Sequence, residues 1–202
     1  MKDGKEKTPI YGKTWFWIII FILLFWVSTS SMCSGPAEKT EVESEEQQIV
    51  STEEAYERAK MYLSIDGACF SRQGLIDQLF NEDGISPLIG EEAVEQLEKN
   101  GEVDWYVQAE RSATNYINLL PMSRQELIDR LVYDDLYDLA EAEEAAFQLE
   151  TNGKVDWTEN AKKSAQVFLE FDDFDEGALF DALTSEDKYT EEEARAVIEA
   201  VR

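Results

Sequence analysis

Beyond about residue 50 the apolar positions fall into short helical stripes that return at a fixed interval. Leu75, Ile76, Leu79 and Phe80 share one face of a predicted helix that begins after Ser71. The stripe recurs as Leu127, Ile128, Leu131 and Val132 after Ser123, and as Leu179, Phe180 and Leu183 after Asp175. Around it the words themselves repeat: F-S-R-Q-G-L-I-D-Q-L (Phe70 to Leu79) returns 52 residues later as M-S-R-Q-E-L-I-D-R-L (Met122 to Leu131), and a worn third copy, F-D-E-G-A-L-F-D-A-L, runs from Phe174 to Leu183. Similarity at a fixed period marks a repeat protein whose stacked units are expected to bury apolar faces on one another.

Each unit reads as three helices. The first carries an alanine pair at spacing four, Ala55/Ala59, Ala109/Ala113 or Ala161/Ala165, so another helix can approach closely. In unit one it opens at Ser51 with a capping-box pattern ending at Glu54 and runs to about Ser64; in the later units it opens at Asp104-Trp105 and Asp156-Trp157. Those tryptophans are expected to be core pegs between units. The second helix is capped by Ser71, Ser123 or Asp175, with Glu126 completing a box in the middle copy. Arg72 and Arg124 sit at its start, where the helix dipole disfavours a cation, so each is expected to pair with a nearby acid, inside the repeat in the first instance, or with a partner. The third helix opens at Ser86-Pro87 in unit one, buries Ala93, Val94 and Leu97 or Ala145, Ala146 and Leu149 or Val197, Ile198 and Val201, and stops at Asn100-Gly101 or Asn152-Gly153, dipeptides suited to a left-handed cap. The fold class is therefore all-α: tandem three-helix, helix-turn-helix-like repeats over residues 49–103, 104–155 and 156–202, the last copy degenerate and terminal.

The N-terminal quarter has a different pattern. Trp15 to Val27 is an unbroken apolar run behind Lys2, Lys5, Lys7 and Lys13, which makes residues 1–13 a basic cytoplasmic end and 14–33 a transmembrane signal-anchor or a signal peptide. Cys33 is a candidate lipidation site, although the positions three before and one before it hold Ser30 and Met32 rather than a lipoprotein signal's Leu-like and small residues. Residues 34–48 are polar and rich in Glu, and read as a disordered spacer. By the positive-inside rule everything beyond is exported to the extracellular face.

Charge then narrows the partners. The chain holds 18 Lys plus Arg against 44 Asp plus Glu, a formal net charge of -26, and residues 1–33, with four lysines and two acids, carry none of the excess. Such a surface repels nucleic acid and attracts a basic protein segment. The helix-turn-helix-like corner therefore does not read as a DNA reader, because a duplex reader neutralises phosphates with Lys and Arg, whereas the helix in question reads E-E-A-V-E-Q-L-E. The exposed acids Glu91, Glu92, Glu95, Glu143 and Glu144 of the third helices are the candidate partner-binding residues. The chain has no histidine, which removes His-dependent triads and most zinc sites. The acids at Asp172 to Glu176 and Asp134 to Asp138 miss calcium-loop spacing and read as caps and solvated loops. No catalytic residue, metal site or cofactor is expected.

The alanine pairs ahead of Tyr62-Leu63 and Tyr116-Ile117, the S-R-Q-x-L-I-D-x-L segments and V-D-W followed by alanines together resemble the host cell surface-exposed lipoprotein family, the Ltp-type proteins of Gram-positive bacteria and their temperate phages. The resemblance implies a membrane-tethered array of three-helix domains. It further implies superinfection exclusion: blocking the injection of an incoming phage's DNA through contact with its tape-measure protein. The alternative is a structural or adhesive surface protein that binds an envelope or host component and has no antiviral role.

Overall fold

The computed structural model describes residues 50–171 and 174–200. The predicted anchor (14–33), the spacer (34–48) and Cys33 lie outside the described residues, as does Val201. Among the described residues no helix is long and apolar enough to cross a membrane.

The described chain is helical throughout, in three units. Unit one holds α1 (Thr52–Ser64), α2 (Arg72–Asp83) and α3 (Pro87–Asn100); unit two holds α4 (Trp105–Leu119), α5 (Arg124–Tyr133) and α6 (Leu139–Thr151). Unit three holds α7 (Trp157–Phe171), a short α8 (Glu176–Asp181) continued by a π-helical turn (Ala182–Glu186), and α9 (Glu191–Ala200). The expected caps are in place: the side chains of Ser51, Ser71, Ser123 and Asp175 each accept from the backbone N–H three residues on. The carboxylate of Glu126 does not complete its box. It turns to Arg130 instead, where the guanidinium offers a charge-assisted bond at 2.8 Å. A reciprocal box forms at α9, between Thr190 and Glu193.

In every unit the first and third helices make the closest pair, because all six paired alanines, from Ala55 to Ala165, are fully buried and present no side chain to hold the neighbour away. Phe80 departs from its expected place and is half exposed. At 100° per residue it stands about 90° round the helix from the centre of the Leu75, Ile76 and Leu79 stripe, at the edge of what the core can cover.

Where the repeat predicts neighbours sharing one continuous core, the structure has three. One gathers Leu75, Leu79, Val94 and Leu97; the second Leu127, Leu131, Ala146 and Leu149; the third Leu179, Leu183, Val197 and Ile198. Each three-helix unit closes on itself, which leaves little apolar face to share. The exceptions are the tryptophans: Trp105, the first residue of α4, packs on the core of unit one, and Trp157, the first residue of α7, is buried in the core of unit two.

The rest of each seam is polar. The Ser71 hydroxyl, already capping α2, donates to the backbone carbonyl of Asp135 in unit two at 2.6 Å. Asn115 reaches back to the carbonyl of Gly67 at 3.5 Å, in the loop that carries the two extra residues of the first copy; the φ of 79° at Gly67 is one that favours glycine. Asn160 donates to the Met122 carbonyl at 3.2 Å, and Lys188 pairs with Asp129.

Candidate partner-binding surface

The third helices α3 and α6 present the candidate acids because their apolar residues fall at the spacing that turns Ala93, Val94 and Leu97, or Ala145, Ala146 and Leu149, inward. Glu91, Glu92, Glu95, Glu143 and Glu144 are accordingly all exposed. Their surroundings differ between the two units. In unit one, Glu91 lies 3.8 Å from the Arg72 guanidinium and Glu92 accepts from the Thr52 hydroxyl at 2.9 Å. Glu95 pairs with Lys99 at 3.0 Å, and that hydrogen bond holds its carboxyl below the usual range.

In unit two no cation pairs with either acid. Glu144 accepts from the neutral amide of Gln148 at 2.7 Å. Arg124, the counterpart of Arg72, makes no ion pair and reaches only the backbone carbonyl of Glu143, at 3.5 Å. Beside the two carboxylates on α6 stands Phe147, half exposed. The face thus combines uncompensated negative charge with an apolar contact, which suits capture of a basic, partly apolar segment.

Arg72 finds its acid inside the repeat, as expected: its Nε donates to Glu98 at 3.1 Å. The Trp105 indole N–H donates to the same oxygen of Glu98 at 2.8 Å. One carboxylate therefore ties the start of α2, the end of α3 and the start of the next unit together. The arrangement is not repeated in unit two. Glu150, at the place of Glu98, is exposed, and the buried Trp157 N–H has no partner.

The acids of D-D-L-Y-D divide. Asp134 is exposed and Asp138 receives the α6 capping box, its own N–H bonding to Glu141 at 3.0 Å. Asp135 corrects the solvated-loop reading, since it is partly buried and accepts from the hydroxyls of Ser112 and Tyr116. Asp83 does the same one period earlier, accepting from Tyr62 and Arg58, and burial with these bonds raises the Tyr62 and Tyr116 hydroxyls above the usual phenol range. In unit three, Asp187 takes this place beside Ser164. The signal was present in the sequence as three aspartates at the 52-residue period, masked by the abundance of acids around them.

Among the described residues no group of three or more His, Cys, Asp or Glu is arranged to hold a metal ion. What this surface offers is charge and shape for binding.

Units two and three match the host cell surface-exposed lipoprotein family. The matched stretches are residues 104–145 and 156–201, so the worn third copy is included and unit one lies outside. A family of this description lives at the cell surface, consistent with an exported chain. A solved structure similar to this chain is Ltp, a superinfection exclusion protein from the Streptococcus thermophilus temperate phage TP-J34, with 28% identity, 48% of this chain and 95% of that chain covered, and a TM-score of 0.42. No curated protein matches the chain.

Proposed function

We propose that the protein is a membrane-anchored, exported binding module that excludes superinfecting phage by engaging a basic segment of the phage tape-measure protein and so blocking DNA injection. The observation that carries this reading is the family match over two of the three units. The acidic surface supports it: the partner-facing acids Glu143 and Glu144 have no cation to neutralise them, and a long-range field of this sign steers basic segments toward the array. Residues 14–33 would hold the array at the membrane, as a span or through a lipid on Cys33, where an injecting phage must pass.

The test is plating efficiency of several phages on a naive host that expresses the full chain, with adsorption and intracellular phage DNA followed in parallel. Normal adsorption with little intracellular DNA is the expected result. Unchanged plating with normal DNA entry across the panel would sink the reading and turn attention to an envelope component as the partner.

A further inference from the structure

The first turn of the second helix and the outer face of the third meet at one corner in every unit. In unit one this corner is formed by Arg72, Glu91 and Glu98, and Trp105 of the next unit is bonded to Glu98 there and packed on the core that holds Ile76 and Val94. In unit two Trp157 enters the core that holds Ile128 and Ala146, while Asn160, one turn on, binds the Met122 carbonyl just ahead of α5. Twice, then, a tryptophan at the start of a helix packs into the unit that precedes it.

In unit three the same corner is an open cleft of about 430 Å³, lined by Glu176, Gly177, Phe180, Arg195, Ile198 and Glu199. These residues lie two periods beyond Arg72, Gln73, Ile76, Glu91, Val94 and Glu95. Three differences suit it to an aromatic guest. A phenyl ring replaces isoleucine on one wall, and Arg195 stands 5.9 Å over that ring, so an indole entering here meets an aromatic face and a guanidinium together. Gly177 replaces glutamine and widens the mouth; a Cβ there would meet only the Asp175 carboxylate, at 3.4 Å. The charges of Arg72 and Glu91 are exchanged, with Glu176 and Arg195 in their places. The rim therefore keeps both signs while the floor stays apolar.

We propose that this cleft is a receptor for an aromatic side chain, tryptophan first, carried at the start of a helix by a partner protein. The site is separate from the Glu143 and Glu144 face, and its test does not depend on phage. The probe is a dye-labelled peptide with the sequence of Asn152 to Ser164, titrated into the full chain in detergent and followed by anisotropy, with a photo-reactive group beside its tryptophan for mapping. Saturable binding, cross-links in α8 and α9, and a loss of at least about fivefold when the peptide tryptophan becomes alanine are expected; fivefold corresponds to about 1 kcal/mol. Phe180→Ala should weaken binding similarly. Glu199→Trp, at an exposed position that leaves the core intact, should fill the cleft and abolish binding while helix content is unchanged. Equal binding of the alanine peptide, or binding that survives Glu199→Trp, would overturn the proposal. So would cross-links that map to unit one, or cleft cross-links between two copies of the chain in place of peptide.

Discussion

Three residues one period apart, Gly84, Leu136 and Lys188, close the second helix of each unit with φ of 67°, 62° and 59°. In each case the next N–H returns to a carbonyl of the last turn, from Ile85 to Leu79 at 3.1 Å, Tyr137 to Leu131 at 2.9 Å and Tyr189 to Leu183 at 2.9 Å. Only glycine takes this conformation without a Cβ clash, which costs other residues about 1–2 kcal/mol. The turn was legible at Gly84 and illegible at Leu136 and Lys188, because nothing local in D-L-Y or D-K-Y announces a left-handed residue. Leu136→Gly relieves that strain but gives up the covered part of a side chain that is 43% exposed, so urea unfolding is expected to show a net gain in unit two of less than about 1 kcal/mol. A decrease in stability would mean that the leucine side chain holds the turn. The neighbouring aspartate of unit three gives a second test. Burial, with Glu126 and Glu186 close by, pushes the Asp187 carboxyl up to about 6 despite its bond from Ser164. The folded state then holds this proton more tightly than the unfolded chain, whose Asp titrates near ~3.9. Its contribution to stability is full below about pH 4 and is lost as pH rises through about 6. Asp187→Asn should remove that component of the pH dependence and leave the variant more stable than the parent at pH 7; parallel stability curves for the two proteins would refute it.

At the scale of the element, caps, alanine pairs and helix ends were readable because each rests on a local rule that the sequence satisfies in several copies. Two things were not readable. The π-helical turn after α8 has no composition of its own, and the exposure of Phe80 depends on how far round a three-turn helix its core reaches. The tryptophan pegs lie between these cases: their role followed from the period, but the difference between Trp105, bonded to Glu98, and Trp157, with its N–H unbonded, required the structure. That difference sets a graded expectation. Trp157→Ala empties a buried site and should cost about 3–5 kcal/mol. Trp157→Phe keeps much of the ring and discards an N–H that has no partner, so it should cost much less. At Trp105 the order of severity should be compressed, because the phenyl variant also loses a bond to a carboxylate. Chemical unfolding of the four variants decides it, and equal losses for Trp157→Ala and Trp157→Phe would contradict this account.

For the whole molecule, three cores joined by polar seams in an acidic chain set salt against itself. Ion pairs such as Arg58 with Asp83, Arg72 with Glu98 and Lys154 with Glu110 weaken as salt rises, but each is at least partly exposed and contributes at most about 1 kcal/mol. Against them stands the mutual repulsion within a chain of net charge -26, most of it carried by units that share little apolar contact. Repulsion acts over the Debye length, which falls from about 30 Å at 0.01 M salt to about 8 Å at 0.15 M, whereas close pairs sit well inside both. Screening should therefore relieve more repulsion than it removes attraction, and the midpoint of thermal unfolding should rise between those two salt concentrations. The opposite sign is expected for capture of a basic tape-measure peptide, which should weaken over the same interval because the long-range attraction is what salt removes. Glu143→Lys with Glu144→Lys should flatten the salt dependence of binding while changing the unfolding midpoint little, as both side chains are exposed and unpaired with any cation. A chain whose binding is indifferent to salt while its folding responds would place the partner contact on the apolar surface and not on the acids.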